Sequence, residues 1–222
     1  MIKKANKSSL KKDQILSVLE ILKNEYPDAH CALDFKNPYE LLVATILSAQ
    51  CTDERVNQVT PSLFKKYPNP KRLAQAEIED LEKLIHSTGF YKNKSKNLKA
   101  CAEKLVEKYD GLIPKDLMDL VSLPGVGRKT ANVVLGNAYG ISSGVVVDTH
   151  VTRLSNRLGW VKSENAVQIE QKLNKLIPQE FWIMTSHWLI AHGRGPCKAR
   201  KAQCSGCLLK EICPASSTLK SH

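Results

Sequence analysis

No run of some twenty apolar residues occurs in the 222-residue chain, so no membrane-spanning helix is expected, since about twenty are needed to cross a bilayer core. A secretory signal is missing too. The first residues, MIKKANKSSLKK, are basic but lead straight into an amphipathic helix pattern, not an uninterrupted apolar core. A cytoplasmic chain is expected. Strand-forming segments are scarce: only residues 144–147 read as extended, too short to build a sheet. Low-complexity tracts and repeats of fixed period are absent, which excludes solenoid architectures. Acidic residues are in deficit, 22 against 33 Lys plus Arg, for a formal charge of +11. That balance points to a polyanionic partner, most often nucleic acid. Seven cysteines, an odd number, with four gathered between Cys197 and Cys213, argue for a metal site over a disulfide framework in a chain without a signal.

What remains is helical and apolar enough, at 42% hydrophobic residues, for a well-buried core. Leu10, Ile15, Leu16, Leu19 and Leu22 recur as one face of a first helix. Residues 39–50 read as a buried helix, and 53–66, 77–87, 94–108 and 115–121 as amphipathic ones, punctuated by Pro68, Pro70, Gly89, Gly111 and Pro114. Further helices run from about Arg128 to Tyr139, from Asp148, and over 163–176 and 179–192. The fold class is all-α. The loop 140–144 reads as a domain boundary, and the segment after Gly193 loses helical period and turns rich in Cys, Lys and Arg.

The stretch LPGVGRKTANVVL, 123–135, carries chemistry. Pro124 stops a helix ending near Ser122. Gly125 and Gly127 can take backbone angles closed to other residues and let a ligand approach the main chain. The next helix offers free N–H groups at its N-terminus, so the turn forms a cradle for a phosphate. Lys129 falls in the first turn of that helix, where a cation is least welcome. The dipole and any partial burial favour the free amine, a nucleophile toward an electrophilic carbon. Asp148 directly precedes a helical pattern and reads as its N-cap, with a second oxygen left for accepting a proton or stabilising positive charge.

Cys197, Cys204, Cys207 and Cys213 are spaced C-x6-C-x2-C-x5-C. Four thiolates in so short a loop suit a tetrahedral metal or an iron–sulfur cluster, and spacing does not choose between them. The loop has no apolar pattern to fold it, so a metal centre would supply that energy. Pinned in this way, Arg194, Lys198, Arg200 and Lys201 could meet phosphates.

The hairpin, VDTHVTRLSNRLGW and the C-x6-C-x2-C-x5-C tail together resemble endonuclease III, the bifunctional DNA glycosylase/AP lyase family of the helix-hairpin-helix superfamily, from about Ile15 to Pro214. LLVATILSAQCTDERVN is similar to a helix of that family as well. The resemblance implies a six-helix barrel domain over 31–141 with the hairpin at about 117–136. It implies a second helical domain from 1–30 and 142–222, with one 4Fe–4S cluster on the four cysteines of loop 197–213. Lys129 then matches the family's catalytic lysine and Asp148 its catalytic aspartate. The amine would attack C1′ of a damaged nucleoside, and β-elimination through the Schiff base would nick the strand 3′ to the site. Oxidised, ring-saturated pyrimidines of the thymine-glycol type and abasic sites would be the lesions, in double-stranded DNA.

Gly125, Val126 and Gly127 would grip the backbone, with Lys198 and Arg200 as further DNA contacts. Gln50 would fill the gap left by the extruded base. A second filler is usually Leu in the family, and here the turn reads Gly89-Phe90-Tyr91, making Phe90 the wedge. A monomer in the bacterial cytoplasm, held at the nucleoid by DNA, is expected. Two alternatives stand beside this reading. The sister adenine-mismatch glycosylases share hairpin, aspartate and cluster but normally lack the lysine and carry a long extra C-terminal domain. A non-catalytic DNA-binding module with a four-cysteine zinc site is the other.

Overall fold

The structure, a computed structural model, describes Lys7–Thr218, with side chains from residue 12 onward. Two compact units share the chain: one is Cys31–Ser143, and the other combines the described parts of Met1–His30 and Gly144–His222. Among the described residues there are helices and turns but no strands, and no helix is long and apolar enough to cross a membrane.

The first unit is built around α2, Pro38–Leu47. Asn37 caps it by accepting the Glu40 N–H at 3.0 Å, and the Glu40 carboxylate accepts the Lys36 N–H in return at 2.7 Å. This reciprocal pair satisfies donors that the first turn cannot. Pro38 at the first helical position costs nothing, because its N–H would be an orphan anyway. Leu41, Leu42, Val43, Ala44 and Leu47 are almost wholly buried; each large one contributes roughly 2 kcal/mol of transfer free energy. Helix α2 packs on α3 (Asp53–Lys66), α6 (Tyr91–Tyr109) and α8 (Arg128–Tyr139), while α4 (Pro70–Ala74) and α5 (Ile78–Ile85) pack on α6. The short α7, Leu117–Val121, leans on α8.

The second unit packs α1 (Lys7–Glu25) and α9 (Thr149–Arg157) on α11 (Trp182–Arg194), with α10 (Ala166–Leu176) completing its core. Ile15, Val18, Leu19 and Leu22 form the inner face of α1. Leu16, expected on that face, is 39% exposed, because it falls off the line that 15, 19 and 22 define; Leu10 lies outside the described side chains. Helices α9 and α11 meet closely at Gly193, where an added Cβ would lie 2.7 Å from the His150 ring nitrogen and 2.9 Å from Arg153.

Three helix readings need correction. The helix expected over 39–50 ends at Leu47, and the chain turns so that Gln50 adopts φ 53°. Helix α6 starts at Tyr91, three residues before the expected 94, and Pro70, read as a break, instead opens α4 under an Asn69 cap. The extended piece 144–147 finds no partner strand. Its backbone is satisfied by side chains, with Val145 N–H donating to Asn174 and Val146 C=O accepting from Ser186 at 3.0 Å each.

Candidate active site and cysteine cavity

Helix α7 closes at Ser122, whose N–H donates to Met118 C=O at 3.0 Å. Leu123 and Val126 turn into the core, and the Val126 N–H donates to Leu123 C=O at 3.1 Å. The Val126 side chain is therefore committed to the core and its amide to Leu123. Gly125 has φ +76°, and a Cβ there would lie 2.8 Å from that of Asn97, so only glycine fits. Gly127 differs. Its φ of −89° is open to any residue, and an added Cβ would meet nothing within 4 Å. The unusual backbone angle expected at both glycines is present at Gly125 alone. Gly127 also caps α8 without a side-chain hydrogen bond, so no cap side chain satisfies the first-turn amides. Lys129, the second residue of α8, is exposed, and burial adds nothing to its environment.

Asp148 belongs to the other unit. It is half-buried and is the N-cap of α9, one carboxylate oxygen accepting the Val151 N–H at 2.8 Å. Nearby, an Arg153 nitrogen sits 3.2 Å from His150 Nδ1. Burial holds the His150 pKa below its ordinary value, with Arg153 and Arg194 pushing the same way and Asp148 opposing them.

In that second unit Cys197, Cys204, Cys207 and Cys213 line one cavity. Leu154, Leu158 and Leu209 close it. Burial pushes the thiols of Cys207 and Cys213 up, and neighbouring cysteines add to the effect. Among the described residues no three His, Cys, Asp or Glu side chains converge to hold a single metal ion. Four thiols lining one cavity are a donor set that suits a metal centre or an iron–sulfur cluster.

Two residues not singled out in the sequence hold this loop. Arg153 donates to the carbonyls of Gly193 and Cys197 at 3.0 and 3.1 Å, and Arg157 to those of Lys198 and Ala199 at 2.9 and 3.1 Å. Their i, i+4 spacing on α9 was the available signal: two cations on one helix face need anionic or carbonyl partners. Lys198 and Arg200 are exposed on the loop so held. Gln50 and Phe90 sit at exposed turn tips of the first unit, Phe90 62% accessible, so it is no core aromatic.

The family model described as HhH-GPD superfamily base excision DNA repair protein matches residues 43–179. Endonuclease III of Synechocystis sp. is 53% identical over 210 residues, covering 95% of this chain and 96% of that protein. Two solved structures, a non-covalent endonuclease III–DNA complex and a trapped endonuclease III–DNA covalent intermediate, each align at a TM-score of 0.88 with 45% identity. Each alignment covers 93% of this chain and 97% of the other.

Proposed function

Because this chain belongs to the endonuclease III family of the HhH-GPD superfamily, and is thereby a base excision DNA glycosylase and AP lyase, we propose that Lys129 is its nucleophile and Asp148 its charge-stabilising partner. The observation that carries the assignment is the placement of an exposed lysine in the first turn of α8, beside a glycine whose outer side is open. A helix N-terminus disfavours an ammonium, and attack needs the free amine. Gly127 has no internal reason to be glycine, since its φ is ordinary and its Cβ space empty. Close approach of a phosphate to the main chain supplies one, with the uncapped amides of α8 as donors.

On this reading the Lys129 amine attacks C1′ of the damaged nucleoside, and the C1′–N bond breaks as the base leaves. The sugar ring opens to a Schiff base on Nζ. Loss of a C2′ proton then expels the 3′ phosphate by β-elimination. Asp148 keeps one oxygen on the Val151 N–H; the other is available to stabilise the sugar cation and accept a proton. The base must leave the stack to be reached, and the turn tips Gln50 and Phe90 fill the gap in double-stranded DNA. The substrates are abasic sites and oxidised, ring-saturated pyrimidines. That the solved relative formed a covalent intermediate with DNA supports the Schiff-base route.

The unit Cys31–Ser143 would be the barrel domain and the other the cluster domain. Cys197, Cys204, Cys207 and Cys213 would hold a 4Fe–4S cluster, which the ring of thiols around one cavity fits. Bound there, it supplies folding energy to a loop with little core of its own. Lys198 and Arg200 would then contact phosphates.

The deciding experiment is borohydride trapping on a thymine-glycol or abasic duplex. Wild type should form a covalent adduct and Lys129→Ala none; an adduct with the variant, or none with wild type, overturns the assignment.

A further inference from the structure

Lysines are almost never fully buried unless paired, yet Lys94, in the first turn of α6, is 5% exposed. Its ammonium donates to Leu47 C=O at 2.7 Å and to Thr88 C=O at 2.8 Å. Both acceptors are carbonyls, and burial holds the Lys94 pKa below its ordinary value, with Cys51 opposing the shift. Leu47 is the last residue of α2, where carbonyls lack intrahelical partners and the helix dipole favours a cation. Thr88 ends the 3-10 turn before Gly89 and Phe90. On the far side of Phe90, the Lys94 N–H donates to the Phe90 carbonyl at 3.0 Å.

One side chain thus ties the bases of two turns of the same unit. Each turn carries at its exposed tip a non-glycine residue in the left-handed region, Gln50 at φ 53° and Phe90 at φ 49°. Among the described residues only Asp110 and Lys201 share that condition. A non-glycine residue there costs on the order of 1 kcal/mol and persists only where the surroundings over-determine it. A buried donor shared by both turns does this and couples their spacing.

We propose that Lys94 is a positioning residue that locks the Gln50 and Phe90 turns into one two-pronged element for entering the duplex. This rests on the reading above that those tips fill the gap left by the extruded base. Lys94 touches neither the DNA nor the reacting atoms; it acts through the main chain of both turns. Lys94→Met keeps the stem and removes every donor.

The consequence separates gap filling from chemistry. An abasic site in a single strand has no opposing base and no gap to hold open. Lys94→Met should lower kcat/KM on a thymine-glycol duplex at least about tenfold, since even small misplacement is costly. Borohydride trapping of a single-stranded abasic oligonucleotide should stay within about twofold of wild type on the same reasoning. With 2-aminopurine opposite the lesion, the fluorescence rise on binding should shrink in the variant. Lys94→Gln, which retains an N–H donor, should fall between the two. If Lys94→Met does not fold, the same comparison on Lys94→Gln decides. Equal losses on duplex and single strand, or no loss on either, overturn the proposal. Gln50→Ala and Phe90→Ala run alongside: if they leave duplex activity unchanged, the wedge reading itself has failed. If they lower it and the Lys94 variants do not, only the coupling has.

Discussion

Arg157 Nη1 lies 3.2 Å from Cys197 Sγ, while the same guanidinium donates to the carbonyls of Lys198 and Ala199. One fork therefore holds a proposed cluster ligand and the two residues after it. Arg157→Leu should loosen the loop, reduce iron per chain and speed iron loss to a chelator. Arg157→Lys should restore little, because a point charge cannot serve three divergent acceptors. Iron content and visible absorption of the purified variants check this; unchanged values in Arg157→Leu would remove the anchor from the account.

The two hairpin glycines should separate stability from binding. Gly125→Ala meets both a left-handed φ and an Asn97 contact at 2.8 Å. It should cost about 1–3 kcal/mol and lower Tm. Gly127→Ala has ordinary φ and open space, so Tm should hold while affinity for duplex DNA falls. Melting curves and equilibrium binding at one salt concentration test the pair. A Gly127→Ala protein that binds DNA normally would show that nothing approaches that backbone.

Asp148 caps α9 and is the proposed charge-stabilising group, two roles that substitution can part. Asparagine caps helices as well as aspartate, so Asp148→Asn should melt near wild type yet turn over poorly. Asp148→Ala should lose about 1 kcal/mol in addition. Wild-type turnover by Asp148→Asn would leave the residue as a helix cap alone.

Acid should destabilise the protein through partly buried histidines. Burial holds His150 and His187 below their ordinary pKa, with His30 adding to the effect at His187. Above the unfolded value of about 6.5 both states are neutral and pH has no leverage. As pH falls through that value the unfolded chain binds protons first, so stability declines. Tm should drop between pH 7.5 and 5.5, and the double variant His150→Gln, His187→Gln should drop less. A slope unchanged in the double variant would assign the acid sensitivity elsewhere.

Several features were legible because their signals are local. The Asp148 cap is read from its place before a helical pattern, and the cysteine set from its spacing along the chain. Leu41 to Leu47 announce a buried helix by being apolar at all positions except Thr45, but not its end, since Ala49 and Gln50 have no turn signature and left-handed φ at Gln50 is imposed from outside. Arg153 and Arg157 look like solvated charges until the loop they hold is folded over them.

Lys94 is the sharpest case. YKNKSKNLK offers four lysines of like appearance, and only phase separates them: Lys94 shares the inner face of α6 with Leu98, Cys101 and Leu105. The sequence alone determined the all-α class, the hairpin, the candidate nucleophile and the thiol set, because period, glycine placement and ligand spacing act over a few residues. Only the tertiary structure decided that Gly125 and Gly127 differ in backbone angle and in room for a side chain, that Phe90 is exposed, and that one buried ammonium joins two turns more than forty positions apart along the chain. Those outcomes depend on which groups meet across the fold, where desolvation and carbonyl geometry, not local propensity, set the balance.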